Sequence, residues 1–343
     1  MRNCHTVLLN TGLLGVLMCF CWGDAIAFDE NGCEVRNIQQ PYIRPVPVSD
    51  TSVPRACRTT TLNRNYILCI PPALRAQSAT DQKLVPLVLA FHGAGENSSG
   101  ESFQRKVSFE IRGTVDGFIS AYPNGCQLEA GAIICEGGNW NAQGNPARGV
   151  SEVCKIDDVA FVSKIIADIK TVYSKINMGK IFAFGHSKGG VFSYSLACDM
   201  PSTFNAIGVT AGTQTDASCT KISTTGYPAV FHVHNLQDNN VPFLGGGSEF
   251  DWPPAEVGLQ FWATRNGCTL STGDHDFSEF MCLEANCQSK SVELCLLGTD
   301  ILDGLGADPT NPASPHRYET YDGAFTANQG RSIRDAFVDK FFR

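Results

Sequence analysis

The sequence predicts an α/β fold in which a mainly parallel sheet carries helices on both faces. Short apolar runs typical of buried strands alternate along the chain with segments whose apolar residues follow helical spacing. The run 84–91 is almost continuously apolar, as in a strand covered on both faces. Hydrophobic residues make up 43% and charged residues 17% of the 343 residues, which is enough for a sizeable core.

The alternation of strands and helices continues to the end of the chain. The predicted strands are 66–70, 84–91, 118–122, 180–184, 206–210, 228–234 and 291–297. The predicted helices are 103–115, 157–175, 188–199, 254–266 and 331–342, the second of them capped by Asp157 or Asp158. The Gly- and Asn-rich stretch 124–156 and the stretch 298–330 are predicted to be long loops. Loops of such length are usually functional.

Residues 1–27 are predicted to be a signal peptide. Arg2 precedes an apolar run, 7–21, and Ala25-Ile26-Ala27 offers small residues for a cleavage site. An uncleaved membrane anchor is the less favoured alternative, because the run is short for a membrane span. We therefore expect a secreted, extracellular protein with an N-terminal extension, 28–61, and one main domain, 62–343. After cleavage we expect no contact with a membrane.

The cysteines favour an oxidising compartment. Three of the 15 cysteines lie in the predicted signal peptide, which leaves twelve. An even number in a secreted chain predicts up to six disulfide bonds, and we expect Cys126 and Cys135 to form a local pair. The absence of C-x2-C spacing argues against a zinc site, so no metal is predicted.

Charge gives limited information about partners. The net charge is −8 and no long Lys/Arg run occurs, which argues against a nucleic-acid partner. The acidic balance favours solubility but does not indicate a substrate. Asn97-Ser98-Ser99 is a glycosylation sequon in a predicted surface loop. The oligomeric state cannot be read from the sequence.

Residues 185–189, Gly-His-Ser-Lys-Gly, match the pattern G-x-S-x-G. The pattern alone is weak, but here an apolar strand enters it and an apolar-faced helix leaves it. This strand–turn–helix is the setting of the nucleophile elbow in the α/β-hydrolase fold, where two glycines permit a sharp turn that lifts the serine hydroxyl above the sheet. We therefore predict an α/β-hydrolase fold with Ser187 as the nucleophile.

The same geometry predicts an oxyanion hole. One donor is expected to be the backbone N–H of Lys188, which follows the nucleophile. The second is expected to be the N–H of Ala94, in the loop His92-Gly93-Ala94-Gly95 that follows the strand 84–91. We expect His92 and His186 to support these two loops rather than to act as bases.

The acid and the base are expected to follow the nucleophile in that order along the chain. Asp238 lies just past the predicted strand 228–234, which is the expected site of the acid; Asp216 and Asp251 are alternatives with poorer placement. His275 and His316 are the histidines beyond Asp238. We predict His316 as the base because it follows the last predicted strand.

His232 and His234 alternate on a strand and therefore share a face. They could ligate a metal ion, but we favour a hydrogen-bonded role beneath the site.

Five segments together resemble the polyhydroxybutyrate depolymerase and feruloyl esterase group of carbohydrate esterase family 1. They are Leu89–Gly95, the run from Asp157 through the elbow to Cys198, Phe204–Ile207, Asp238–Pro242 and Asn266–Cys268. The resemblance covers 62–297 and is specific as a set. It implies hydrolysis of esters such as feruloyl or acetyl groups on plant xylan, or polyhydroxyalkanoates, without a cofactor.

Two positions depart from that group. Its members usually place the catalytic histidine almost directly after the last strand, in a G-H-x-W-P-like motif, whereas here 300–315 intervenes before His316. Lys188 stands where a smaller or neutral residue is common, and its charge could favour an anionic substrate or simply be solvated. Trp140 is predicted as an aromatic platform for a ring-shaped substrate, with core packing as the alternative.

Two other classes of function remain as alternatives to an esterase. The first is a non-catalytic binding protein, because a fold does not determine a function. The second is a peptidase or lipase with the same three residues, although the segment 124–156 is too polar for the apolar lid of a lipase.

Overall fold

The computed structural model describes most of the chain, and the residues it describes form one large sheet with helices on both sides. They are 5–7, 18–20, 32–41, 55–58, 61–78, 80, 83–95, 98–142, 150–215, 219, 226–247, 250–269, 281–287, 290–297, 316 and 318–342.

The strands and helices have the following bounds. The strands are β1 His5–Val7, β2 Met18–Phe20, β3 Cys33–Pro41, β4 Thr61–Cys69, β5 Val85–Phe91, β6 Ile119–Pro123, β7 Cys126–Glu129, β8 Ala132–Asn139, β9 Ile176–His186, β10 Ala206–Thr210, β11 Ala229–Asn235, β12 Cys268–Thr269, β13 Met281–Glu284, β14 Asn286–Cys287 and β15 Val292–Leu297. The helices are α1 Pro72–Arg75, α2 Gly100–Val107, α3 Phe109–Asp116, α4 Val150–Val153, α5 Asp158–Val172, α6 Lys188–Asp199, α7 Ala255–Arg265, α8 Tyr318–Gln329 and α9 Ile333–Phe341, with a 3₁₀ turn at Arg55–Arg58.

The main sheet has nine strands in the order β13-β15-β11-β10-β9-β5-β6-β4-β3. Its centre, from β15 to β6, is parallel throughout. Antiparallel strands flank this centre on both sides. Parallel strands end at one common edge of a sheet, so the carboxyl ends of β5, β9 and β11 lie together there, where ligands bind in such sheets.

The two faces of the sheet bury different side chains. Along β5, Leu87, Leu89 and Phe91 face a core that includes residues of α5, α6 and α7. The alternating residues Val88 and Ala90 face a second core with residues of α2, α3 and α9. This alternation is the period of a strand, and it places helices on both faces. The predicted α/β-hydrolase fold class is confirmed.

Most predicted elements lie where the sequence placed them. The helix 188–199 and the strand 206–210 coincide with α6 and β10. The helix predicted at 103–115 is instead two helices, α2 and α3. Ser108 ends α2 in the left-handed region, with a φ of 49°, and its hydroxyl donates to the carbonyl of Gln104.

The predicted N-terminal extension contributes a long strand to the sheet. All nine residues of β3 pair antiparallel with β4. The guanidinium of Arg36, on β3, donates to the carboxylate of Asp168 on α5 at 2.6 Å. The predicted cleavage site at Ala25–Ala27 lies outside the described residues. Before it, β1 and β2 form a two-stranded antiparallel ladder.

The prediction of a structureless loop at 124–156 is wrong. β7 and β8 form a hairpin whose two-residue turn, Ala130-Gly131, has φ angles of 48° and 80°. Both central residues of such a turn need a positive φ, and Ala-Gly is a weaker hairpin signal than Asn-Gly or Asp-Gly. The signal of these turn residues is therefore too weak to predict the hairpin from the sequence. The Cys126–Cys135 disulfide joins its strands, as predicted.

The prediction of a loop at 298–330 is wrong for Tyr318–Gln329, which forms α8. Few of its residues are apolar at helical spacing, so the sequence pattern is weak. Tyr318, 3% exposed, fixes the start of the helix by packing its ring against Phe103 and Phe184. This is tertiary stabilisation of a helix with little amphipathic signal.

Six disulfide bonds join all twelve cysteines beyond the predicted signal peptide, as predicted. They are Cys33–Cys69, Cys57–Cys154, Cys126–Cys135, Cys198–Cys219, Cys268–Cys287 and Cys282–Cys295. None of the helices in the described part of the chain is long and apolar enough to cross a membrane.

Candidate active site

Ser187 lies at the turn between β9 and α6, with a φ of 54° and a ψ of −123°. This conformation is unfavourable for a residue with a side chain, and it is the strained turn expected of a nucleophile elbow. The backbone N–H of Ser187 donates to the carbonyl of Thr210 at 2.8 Å, and its carbonyl accepts from the N–H of Val191 at 3.0 Å. The turn is therefore fixed by both a neighbouring strand and the following helix.

The two glycines of the motif are required by close backbone contact. A Cβ atom at Gly185 would lie 2.1 Å from the carbonyl oxygen of Gly189, and one at Gly189 would lie 2.1 Å from that of Phe91. Neither position has room for a side chain, so the sequence requirement for glycine follows from the tightness of the elbow.

The loop after β5 lies against Ser187. A Cβ atom built on Gly93 would lie 3.4 Å from the Cβ of Ser187. The backbone N–H of Gly125 donates to His92 Nε2 at 3.0 Å, and the opposite nitrogen, Nδ1, donates to the carbonyl of Gly93 at 2.6 Å. Burial lowers the pKa of His92 to about 4, so the ring is neutral and holds this loop in place. Ala94 is the next residue of this loop.

Trp140 does not form the predicted aromatic platform. Its side chain is completely buried, with the ring stacked on Phe192 at 5.1 Å and in edge contact with Phe91. Its indole N–H donates to the carbonyl of His92 at 2.9 Å. The ring has no face open to a substrate, because α6 and β5 cover it, and it supports the loop that carries Ala94 instead.

His316, Asp238 and Ser187 form a continuous series of hydrogen bonds. His316 Nε2 lies 2.8 Å from Ser187 Oγ, and His316 Nδ1 lies 2.7 Å from Asp238 Oδ2. A carboxylate can only accept, so the proton of the neutral ring lies on Nδ1. Nε2 is then a bare acceptor that faces the seryl hydroxyl.

The carboxylate of Asp238 is held from two sides. The side chain is 1% exposed, and its Oδ1 accepts the backbone N–H groups of Asn240 at 2.9 Å and Val241 at 3.0 Å. Burial alone would raise the pKa of Asp238, but the neighbouring His316 and these hydrogen bonds outweigh it, and the pKa lies below its ordinary value. The group is therefore an anion at neutral pH.

The alternatives to Asp238 and His316 do not share this arrangement. Asp251 is exposed to solvent. Asp216 and His275 lie outside the described residues, as does Asn97 of the sequon.

The ring of His186 packs beside that of His316. Its ring centroid lies 5.5 Å from that of His316, and its Nδ1 lies 2.8 Å from Thr210 Oγ1. Burial, followed by the proximity of His316, lowers the pKa of His186 well below its ordinary value, and the ring also bonds the backbone of His316. It is therefore a neutral supporting group, as the sequence predicted for it.

Lys188 does not have the solvated environment that was one of the two expectations from the sequence. Its side chain is only 6% exposed and forms an ion pair with Glu152 on α4, which is 4% exposed. The charge is thus buried and paired within the protein instead of solvated. Glu152 also accepts from the side-chain amide of Asn139 at 3.4 Å, so the pair joins the elbow to α4 and to the end of β8. No sequence signal identified Glu152, because a lone acidic residue in a polar stretch resembles a solvated one.

Metal-ligand side chains meet in one cluster of the described residues, Cys282, Glu293 and Cys295. Cys282 and Cys295 are joined in a disulfide, which removes their thiolates as ligands. His232 and His234 bond each other, with 2.9 Å between Nε2 and Nδ1. Their facing nitrogens are thus occupied by a hydrogen bond, in agreement with the favoured prediction for this pair.

The fold and the elbow define the class: the protein has the α/β-hydrolase fold, with a seryl, an imidazole and a carboxylate group at the carboxyl edge of its parallel strands. Comparison with known proteins agrees. The chain is 29% identical over 213 residues to the probable feruloyl esterase C of Aspergillus clavatus, which is 60% of this chain and 62% of that protein. It is 29% identical over 191 residues to the probable feruloyl esterase C of Aspergillus niger, or 53% of this chain and 58% of that protein.

The match therefore spans less than two thirds of the length of these two relatives. Among solved structures, a thermostable esterase superposes with a TM-score of 0.50 at 15% identity, covering 90% of this chain and 63% of that one. At this identity the likeness concerns the fold alone. No protein-family model matches the chain. The similarity to feruloyl esterases that the sequence motifs predicted is thus confirmed.

Proposed function

We propose that this protein is a secreted serine esterase that cleaves carboxylic esters through an acyl-enzyme intermediate. The observation that carries the proposal is the series of hydrogen bonds from Ser187 through His316 to Asp238, at 2.8 and 2.7 Å. Nucleophilic catalysis by serine needs this set of groups: a hydroxyl, a base within hydrogen-bond reach, and an anion that orients the base.

The proposed reaction begins with attack of Ser187 Oγ on the ester carbonyl carbon. His316 Nε2 takes the hydroxyl proton, and Asp238 stabilises the resulting imidazolium. The backbone N–H groups of Lys188 and Ala94 are proposed to bind the oxyanion of the tetrahedral intermediate. Each such donor is worth about 3 to 4 kcal/mol of barrier in measured deletions.

The intermediate then collapses with expulsion of the alcohol. His316 returns the proton to the leaving oxygen, and Ser187 carries the acyl group as an ester. In the second half of the reaction His316 takes a proton from water, and the resulting hydroxide adds to the acyl carbonyl carbon. The bond to Ser187 Oγ then breaks as His316 returns the proton to Oγ, and the carboxylic acid leaves. The proposed steps use side-chain and backbone groups of this chain and call for no cofactor.

The proposed substrates are feruloyl or acetyl esters of plant cell-wall polysaccharide, with polyhydroxyalkanoates as a further candidate. Feruloyl esters are supported as substrates because the two Aspergillus relatives are both probable feruloyl esterases. The six disulfide bonds support secretion, because such bonds persist in oxidising compartments.

The proposal is tested by hydrolysis of a substrate panel with the wild-type protein and Ser187→Ala. The panel contains methyl ferulate, acetylated xylan, short-chain p-nitrophenyl esters and polyhydroxybutyrate. We expect turnover of at least one member by the wild type and a loss of about 10⁶-fold in kcat in the variant. Equal rates for the two folded proteins, or no turnover of any ester by folded wild type, would overturn the proposal.

A further inference from the structure

A chain of three buried side chains lies beneath the candidate site and is not part of the proposed chemistry. The hydroxyl of Tyr194 on α6 lies 2.7 Å from His232 Nδ1 on β11. His232 Nε2 lies 2.9 Å from His234 Nδ1, and His234 Nε2 lies 2.8 Å from the carbonyl oxygen of Val241. The three side chains are 1%, 0% and 0% exposed, in chain order. We call them the buried histidine chain.

The far end of the buried histidine chain fixes its direction. The carbonyl of Val241 can only accept, so His234 Nε2 carries its proton and His234 Nδ1 is bare. His232 must then donate from Nε2, which leaves its Nδ1 to accept from the hydroxyl of Tyr194. Burial lowers the pKa of both histidines below the ordinary value, so both rings are neutral, as this pattern requires.

The buried histidine chain ends at Val241, the residue whose backbone N–H binds the proposed acid, Asp238. Val241 accepts from His234 through its carbonyl and donates through its N–H to Asp238 Oδ1 at 3.0 Å. The other end, Tyr194, lies on the helix that starts directly after Ser187. The series of bonds therefore joins the helix behind the nucleophile to the turn that carries the acid, through strand β11.

We propose that Tyr194, His232 and His234 are positioning residues that fix the turn 238–241, and with it the carboxylate of Asp238, relative to Ser187 and His316. This inference rests on the proposed function. Neutral, tautomer-locked histidines suit the task, because each accepts at one nitrogen and donates at the other and so transmits a fixed direction without adding a charge beside Asp238. The three residues do not touch the reacting atoms.

The test uses three variants of the buried histidine chain. His234→Leu removes the donor to Val241, and His234→Gln restores a donor and an acceptor at similar reach. Tyr194→Phe removes the first donor without changing the shape of the ring. The matched control is Tyr173→Phe: this tyrosine is 1% exposed and donates to the carbonyl of Lys83 at 2.9 Å, at the start of β5 rather than at the site edge.

The first readout is the separation of kcat from KM on p-nitrophenyl acetate, with folding checked by thermal unfolding. We expect His234→Leu to lower kcat about 100-fold with KM nearly unchanged, since a displaced acid misorients the base. His234→Gln is expected to recover most of this loss. Tyr194→Phe is expected to lower kcat about fivefold, the equivalent of one ordinary hydrogen bond. Tyr173→Phe is expected to lose stability but no kcat.

The second readout does not depend on esterase activity. The proton on His316 Nδ1, bonded to Asp238, is expected to give a downfield proton resonance that disappears in His316→Gln. It should shift in His234→Leu and stay unchanged in Tyr173→Phe. A shift without ester hydrolysis by the wild type would sustain the positioning role and overturn the esterase. Full kcat and an unshifted resonance in folded His234→Leu would overturn the positioning role alone.

Discussion

The two sides of the candidate site are built in different ways. The nucleophile side, which consists of 92–95 and 185–190, is held by backbone contacts so close that glycine is required at Gly185 and Gly189. The acid–base side, Asp238 and His316, is held by side-chain hydrogen bonds between residues 78 positions apart in the chain. The hydrogen bond between His316 and Ser187 joins residues that are 129 positions apart in the sequence. The comparison teaches that one side depends on close backbone packing and the other on hydrogen bonds between side chains.

Substitutions should therefore have different consequences on the two sides. A change on the acid–base side is expected to reduce the rate of a protein that still folds. A side chain added at Gly185 or Gly189 on the nucleophile side is expected to damage the fold itself, since the backbone there has no space in which to relax.

The largest effect expected on the acid–base side is that of Asp238→Asn. The asparagine oxygen keeps the bonds from Asn240 and Val241, but its amide no longer accepts from His316 Nδ1 and stabilises no imidazolium. We expect kcat to fall about 10⁴-fold with a melting temperature close to that of the wild type. The assay is p-nitrophenyl acetate hydrolysis beside calorimetry, with Asp251→Asn as a control in an exposed residue. Equal losses in both variants would remove Asp238 from the proposed role.

Gly189→Ala tests the nucleophile side. The added Cβ would meet the carbonyl oxygen of Phe91 at 2.1 Å, so either β5 or the elbow must shift. We expect the free energy of unfolding to fall by about 3 kcal/mol, together with loss of activity. Gly179→Ala is the control, on the strand β9 that leads into the elbow, because its Cβ would lie 3.4 Å from its nearest neighbour. The free energy of unfolding of both variants is measured in urea. Equal stability of the two would contradict the claim that close backbone contacts exclude a side chain at Gly189.

The smallest expected effect is the response of stability to acid, and it sharpens the comparison. His92 has a folded-state pKa of about 4, against about 6.5 in an unfolded chain. Between these values the unfolded state binds a proton that the folded state does not, so stability falls as the pH falls from 6.5 to 4. His92 alone contributes a loss of about 2 kcal/mol at pH 5 relative to pH 8.

The measurement is the free energy of unfolding as a function of pH for the wild type and His92→Gln. Glutamine can keep one donor and one acceptor but does not titrate. The slope of the unfolding free energy against pH, between pH 6.5 and 4, should therefore decrease by an amount that corresponds to at most one bound proton. It should not vanish, because burial also lowers the pKa values of His186, His232 and His234. An unchanged slope would mean that His92 is already charged or accessible in the folded protein.

The sequence by itself determined the position of the elbow and the succession of the central strands and helices along the chain. Gly185, Ser187 and Gly189 are close in sequence, and a run of apolar residues before and after them is enough to place a strand, a turn and a helix. The same holds for β5, because a strand buried on both faces is apolar at nearly every position. Local patterns suffice where local contacts decide the structure.

Tertiary structure alone decided which groups meet across the chain. It gave Trp140 a place in the core, paired Lys188 with Glu152, and brought Tyr194, His232 and His234 into one series of bonds. It also formed the β7–β8 hairpin and α8, whose own sequence signals are weak. The physical reason is that the burial and the hydrogen-bond partners of a side chain depend on the neighbours that the fold places around it. Residue type alone therefore does not determine whether a side chain binds a ligand or supports the structure.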